Sequence, residues 1–377
     1  MRCDRAGRRE KRPTSVPQDS DDFLPWQEDE TDNADGARSR GRRRYRKKRS
    51  TGRIVLLTSV SVLLVVVLGI AAAGWLVVNN IAGDVERIPK VFEDIPEESR
   101  PTKPPEGEDS INILLAGLDG ENSTENESGS RSDAVMVLHV DGDRENAYLV
   151  SIPRDSWVSI PGQGENKVNA AYSLGGPSLY VQTIEELTGL SIDHLAVIDW
   201  SGFRGLTDAL GGVELDFDEE VQAAEGQTFP AGENTLSGEE ALQYVRERKD
   251  LPGGDFDRVK RQQNYLRALM QQTLSNDTLS SPGKMLDVAN SITDATKVDD
   301  QLTTNGIIQM GVSMRGIRGD DVEFLTVPTD GTGTVGDASV VNYDHENAER
   351  LWDAMAKDSA EQFIADNPDL VTGEEVR

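Results

Sequence analysis

The sequence predicts an α/β fold: a central, mostly mixed β-sheet flanked by helices on both faces, preceded by one transmembrane helix. Two observations carry this prediction. From residue 109 onward, apolar runs of strand length alternate with segments of helical period. Upstream, one stretch of 25 residues carries no charge at all.

Residues 1–37 are polar and mixed in charge, a composition that resists packing and reads as disordered. RSRGRRRYRKKRSTGR (38–53) is a dense basic run, so residues 1–53 form a basic tail. IVLLTSVSVLLVVVLGIAAAGWLVV (54–78) follows. At about 1.5 Å per residue, such a helix crosses a hydrocarbon core of roughly 30 Å. Basic residues immediately before it place the N-terminus in the cytoplasm and residues 79–377 outside, giving a single-pass protein of the cell membrane. A cleaved signal peptide with Ala71 and Ala73 near the cut fits less well: the apolar run is too long and its leader too extended. Pro89, Pro96, Pro101, Pro104 and Pro105 mark 79–108 as an extracytoplasmic linker, with the folded domain starting near Asp109.

The domain elements follow in order. INILLAGL (111–118), AVMVLHV (134–140) and AYLVSI (147–152) read as strands, the last two joined at Asp141-Gly142-Asp143. A helix spans 176–188, ending at Gly189, and HLAVIDW (194–200) is a strand. Residues 201–210 are helical, VELDFD (213–218) is a strand, and GEEALQYVRER (238–248) is a helix with Ser237 as N-cap. A longer helix occupies 255–275, two more lie within 282–315, and VEFLTVP (322–328) is a strand.

Charge is unevenly distributed. Residues 1–53 carry 16 Lys and Arg against 10 Asp and Glu; the rest carries 23 against 57, a net of −34. So acidic a main domain argues against nucleic-acid binding, which needs a basic face. The single cysteine, Cys3, permits no intramolecular disulfide and no cysteine-based zinc site. His139, His194 and His345 lack metal-ligand spacing and read as surface or packing residues.

No P-loop, HExxH, GxSxG or dinucleotide fingerprint occurs. What remains are Asp and Arg residues at strand ends. Asp119 ends LLAGLDG, and Arg131 and Asp133 open the next strand in SRSDAV. Neighbouring strands bring Asp119 and Asp133 together; paired carboxylates suit Mg²⁺, and equally serve as turn formers. Arg154 and Asp155 follow a strand in SIPRDSWV, either at a ligand-binding mouth or in a surface ion pair. Lys167, Asn169 and Tyr172 lie in ENKVNAAYSLGGP, where a lysine can serve a phosphate as a point charge.

YVRERKDLPGGDFDRVKRQQ (244–263) concentrates the remaining cations. Arg258, Arg261, Gln262 and Tyr265 share a helical face. Arg246 and Arg248 end the preceding helix, where they also complement its dipole. Gly253-Gly254 lets the chain turn back so that the two groups converge. A solvated basic face and an anion site both fit this pattern.

LLAGLDG, RSDAVMVLHVD, LVSIPRDSWVSIPG, KVNAAYSLGG, ALGGVELDF, GEEALQYVRERK and DFDRVKRQQNYLRAL, in this order, resemble the LytR-CpsA-Psr family of bacterial cell-wall enzymes. The resemblance is continuous over about 109–275 and looser to about 328. It implies a catalytic domain over 109–360 and a C-terminal tail over 361–377. It further implies transfer of a lipid-linked anionic glycopolymer from polyprenyl pyrophosphate to peptidoglycan, at the C6 hydroxyl of muramic acid. By motif, Asp119 and Asp133 are then the ligands of Mg²⁺, for which Mn²⁺ can substitute. Arg131, Arg154, Arg246, Arg248, Arg258 and Arg261 hold the pyrophosphate, assisted by Lys167 and Gln262. Arg131, Arg154 and Asp155 are the catalytic candidates, with Asp155 or Asp257 as base; Lys249 and Lys260 face water. The family's lipid tail lies in an apolar tunnel beside the sheet, which motifs do not locate in this chain. A polyprenyl pyrophosphate hydrolase and a non-catalytic membrane regulator of envelope synthesis are the competing readings.

Overall fold

The structure is a computed structural model that describes residues 85–118, 132–247, 251–273, 275, 278 and 280–372. The expected tail (1–53) and span (54–78) lie outside these residues, as do Asp119, Arg131, Arg248 and Lys249. Among the described residues, no helix is long and apolar enough to cross a membrane.

The strands are β1 (Glu86–Ile88), β2 (Ile111–Leu118), β3 (Ser132–Val140), β4 (Ala147–Ser151), β5 (Trp157–Ile160), β6 (Gly164–Lys167), β7 (His194–Asp199), β8 (Val213–Phe217), β9 (Val221–Gln222), β10 (Thr228–Phe229), β11 (Gly232–Leu236), β12 (Thr296–Asp299), β13 (Val322–Thr326), β14 (Thr329–Val335) and β15 (Ala338–Tyr343). The helices are α1 (Ala170–Thr188), α2 (Trp200–Ala209), α3 (Gly238–Arg246), α4 (Asp255–Thr273), α5 (Pro282–Ala295), α6 (Thr304–Ser313), α7 (His345–Ala356) and α8 (Ala360–Asp366).

Seven strands form the central sheet in the order β1-β12-β7-β2-β3-β4-β13. It is mixed: β2 runs parallel to β7 and antiparallel to β3, and β4 is antiparallel to β3 but parallel to β13. One face packs on α1 and α7 through Leu114, Val137, Val150, Val181, Ile184, Leu351 and Trp352. The other carries Met136, Leu149 and Phe324, with Leu266 and Met270 of α4 packed against them. Alternation of inward residues along β3 therefore feeds two cores, as an α/β sheet requires. A third apolar cluster joins the β8–β11 ribbon to α3 and α4 through Phe217, Leu242, Tyr244 and Tyr265.

Several elements depart from expectation. The 79–108 segment is not a simple linker over its described part. β1 pairs with β12, Val91, Phe92 and Ile95 enter the core, and Arg100 binds buried Glu185 of α1 at 2.8 Å. The fold thus begins well before Asp109. Likewise 361–372 is not a tail: Ile364 is buried, and Val371 bridges to Leu325 of β13. VELDFD does not join the main sheet but pairs with β11. α1 starts six residues earlier than read; Gly175 and Gly176 break its regular geometry, Gly176 with φ 69. That glycine pair hides the first turns from a periodicity argument. Ser237 caps α3 as expected, with Glu240 completing a capping box.

Candidate active site

Strand direction decides which residues meet. β2 ends, β3 begins, β4 ends and β7 ends at the same edge of the sheet. Leu118, Ser132 and Asp199 are in register there, and Ile152 N donates to Val135 O at 2.8 Å. The chain leaving β4 as Ile152-Pro153-Arg154 therefore passes the start of β3. This brings the Arg154 guanidinium onto the carboxylate of Asp133.

Around that pair the cations and carboxylates alternate. Arg154 Nε lies 3.9 Å from both Asp155 Oδ1 and Asp255 Oδ1. Lys167, at the end of β6, holds Asp155 at 3.1 Å. Arg258 reaches Asp255 at 2.5 Å from one helical turn on. Both sit in the first turn of α4, behind a turn in which Gly254 takes φ +60. Arg258 is only 3% exposed. Burial pushes the Asp255 carboxyl above its ordinary value, against the pull of Arg258, and lowers the proton affinity of Arg258. Arg154 Nε, Asp255 Oδ2 and Arg258 Nε and Nη2 are buried without a hydrogen-bond partner of good geometry. Such groups are costly unless something completes them.

Two polar cavities open at this edge. One, of about 740 Å³, is lined by Asp133, Arg154, Asp155, Trp157, Lys167 and Asn169 among others. The second, of about 350 Å³, is lined by Asp133, Arg246, Arg258 and Gln262, with Glu225, Glu239 and Glu247 adding negative charge. Asp133 belongs to both walls. Arg246 lies over the Trp200 ring at 5.3 Å, so an aromatic face supports its guanidinium. A third cavity, about 100 Å³ and almost wholly apolar, runs between the sheet and α2 and α4. Leu115, Ala116, Ala134, Met136, Phe203 and Leu266 line it, and it shares Trp200, Val245 and Gln262 with the second.

The motif residues thus divide. Asp133, Arg154, Asp155, Lys167, Arg246, Arg258 and Gln262 converge on the cavities. Arg261 does not line them: its Nη1 donates to Gln222 O at 2.7 Å, and its guanidinium covers Tyr244 at 5.1 Å. It ties α4 to β9. Asp257 accepts from Gly253 N at 2.7 Å and caps its own loop. Lys260 faces water, as expected. Asp255 is the residue that motif reading missed. Its only sequence signal is the i, i+3 spacing to Arg258, which is indistinguishable from a helix-start aspartate.

An α/β domain that gathers guanidinium groups and carboxylates at one sheet end, beside an apolar slot, is built to hold a ligand with an anionic head and an apolar tail. Residues 84–357 match the LytR_cpsA_psr family model, and the chain belongs to that family. It is 34% identical over 267 residues to the cell wall biosynthesis protein LcpA of Corynebacterium glutamicum, a match covering 63% of this chain and 49% of LcpA. The chain therefore spans about half the length of that relative. It is 32% identical over 255 residues to the polyisoprenyl-teichoic acid–peptidoglycan teichoic acid transferase TagU of Oceanobacillus iheyensis, covering 64% of this chain and 77% of TagU. The solved structure of TagT bound to LIIa-WTA superposes with a TM-score of 0.54 at 25% identity, over 71% of this chain and 97% of that one.

Proposed function

We propose that this chain transfers a lipid-linked anionic glycopolymer from polyprenyl pyrophosphate to peptidoglycan, forming a phosphodiester at the C6 hydroxyl of muramic acid. The observation that carries this reading is the adjacency of the three cavities, which share wall residues. A mouth lined by arginines and carboxylates, with Asp133 in both its walls, adjoins an apolar slot that shares Trp200, Val245 and Gln262 with it. A pyrophosphate seated at Arg154, Arg246 and Arg258 extends its prenyl chain into that slot. The larger cavity, with Lys167 and Asp155, receives the sugar acceptor. TagU's name and the TagT complex support the same substrate class.

In the reaction, the acceptor oxygen bonds to the phosphorus that carries the polymer. The bridging P–O bond breaks, polyprenyl phosphate leaves, and the hydroxyl proton passes to Asp155, which lines the acceptor cavity. Arg154 and Arg258 stabilise the charge developing on the phosphoryl oxygens, the largest contribution such a site makes. Asp255 holds both guanidiniums in place from behind.

The donor set fits a hard divalent cation: the Asp133 carboxylate faces both cavities, and acidic groups surround the arginines. Mg²⁺ would be held by Asp133 and Asp119, and when bound supplies neutralisation of the phosphates. Location outside the membrane on the 54–78 anchor completes the proposal.

The test is to supply labelled lipid-pyrophosphate polymer to the full-length chain with and without peptidoglycan. Label appearing in peptidoglycan supports the transfer. Release of polymer into water at equal rates in both arms identifies a hydrolase instead, and no turnover in either arm points to a regulator.

A further inference from the structure

The opposite end of the sheet holds a cluster that the proposed transfer does not use. β3 runs from Asp133 at the mouth to His139 near its other end, about 20 Å away at roughly 3.3 Å per residue. His139 is fully buried, and its Nδ1 lies 2.6 Å from Asn112 Oδ1. The Asn112 amide is oriented by its other end, where Nδ2 donates to Ser191 O at 2.9 Å. An acceptor therefore faces Nδ1, and Nδ1 carries the ring proton. In the neutral imidazole the lone pair is then on Nε2.

That lone pair points at another. Nε2 is 3.4 Å from Asp141 Oδ1, and neither atom has a hydrogen-bond partner of good geometry. Asp358, following α7, brings a third donor. One ligand atom from each of His139, Asp141 and Asp358 lies within 4.8 Å of the others. Arg144 is nearby, but its Nη1 donates to the Asp141 backbone carbonyl rather than the carboxylate. Two carboxylates, that of Asp141 buried and that of Asp358 half-buried, and an unshared, buried imidazole lone pair repel unless a positive charge lies among them.

We propose that His139, Asp141 and Asp358 form a structural site for a divalent transition-metal ion of the Zn²⁺ type. The 3.4 Å separation of Nε2 and Oδ1 is about that of two tetrahedral ligands each at roughly 2.0–2.1 Å. The outer contacts that such sites use are in place: Asn112 fixes the imidazole, Asn146 Nδ2 donates to Asp141 Oδ2 at 3.3 Å, and Gly142 N donates to Asp358 Oδ1 at 3.0 Å. The fit at Gly142 is tight: a Cβ would stand 3.1 Å from Asp358 Oδ2 and 3.3 Å from Asp109 Cβ. The ion clamps the segment after α7 to the β3–β4 turn.

The experiment is calorimetric titration of Zn²⁺ alone into the chelator-stripped full-length chain, beside Asp358→Asn and Asp133→Asn. The wild type and Asp133→Asn bind one equivalent at this site; Asp358→Asn binds it roughly tenfold or more weakly. Zn²⁺ also raises the Tm of the wild type and of Asp133→Asn, and not of Asp358→Asn or of the second variant, Asp141→Asn. Equal Zn²⁺ binding by wild type and Asp358→Asn overturns the site. So does a wild-type chain that takes up no Zn²⁺ while nitrogen NMR shows both His139 ring nitrogens protonated, since a proton then fills the gap.

Discussion

Arg154, leaving β4, grips the carboxylate of Asp133, entering the antiparallel β3, so one guanidinium ties two strands together at the mouth of both polar cavities. The same side chain faces Asp155 and Asp255 at 3.9 Å. Arg154→Ala is expected to lower turnover of lipid-pyrophosphate polymer by about 100-fold or more, the scale for losing a charge-stabilising donor. Arg154→Lys restores little, because an ammonium cannot span the planar contacts. Steady-state turnover with circular dichroism as fold control checks this; wild-type turnover by the alanine variant would remove Arg154 from the site.

Asp255 gives the site its pH dependence. Burial raises its carboxyl above the ordinary 3.8, so the carboxylate that orients Arg258 is lost on acidification earlier than an exposed aspartate's would be. Turnover therefore falls as pH drops through that raised value, giving an acid limb above 3.8. Asp255→Asn should reduce turnover about tenfold at neutral pH and flatten that limb, as a pH–rate profile will show. An unchanged acid limb in the variant would assign it to another group.

Glu323 on β13 supplies a stability test away from the site. Burial first, and Glu361 second, raise its carboxyl above the ordinary 4.5, and its Oε2 is buried without a partner. A raised folded-state value means the ionised form is penalised by folding. Glu323→Gln should therefore raise Tm at neutral pH, with the gain shrinking as pH falls through the raised value and vanishing below 4.5. Thermal melts across that range decide it; a gain that persists in acid would contradict the assignment.

Gly202 sets the approach of α2 to α5. A Cβ there would stand 2.4 Å from Ala295 Cα and 2.6 Å from Ala295 O, backbone that cannot step aside. Gly202→Ala is expected to destabilise the fold by about 1–3 kcal/mol, read from denaturant unfolding. Gly205 on the same helix meets nothing within 4 Å, so Gly205→Ala should be neutral or stabilising.

The strands that shape the mouth were legible because they are apolar and long: INILLAGL coincides with β2, and the reading of β3 and β4 differs by a residue or two at their ends. β12, with sequence TKVD, was not, because one buried valine makes no pattern and its pairing depends on β7. β1 hid among prolines for the same reason. The convergence of Arg154, Arg246, Arg258 and Asp133 was legible through their motif context, whereas Arg261 turns to Gln222 and Tyr244 instead. Asp255 was not, since its role depends on Arg154 arriving from another strand. The histidines looked isolated along the chain; His139 meets Asp358 only because α7 packs against the fold more than two hundred residues later.

The bidentate grip of Arg100 on Glu185 has a mechanical meaning. β1 joins the sheet through three register pairs at its edge, and Arg100 lies in the chain between β1 and β2. Tension applied from the N-terminal side would strip β1 first and then meet this buried strap, with Lys103 on Asp193 as the next catch. The load would end on α1 and the β7 loop, leaving the edge where Arg154 meets Asp133 unstrained. A domain tethered from that side could be pulled about without distorting the edge that holds the cavities.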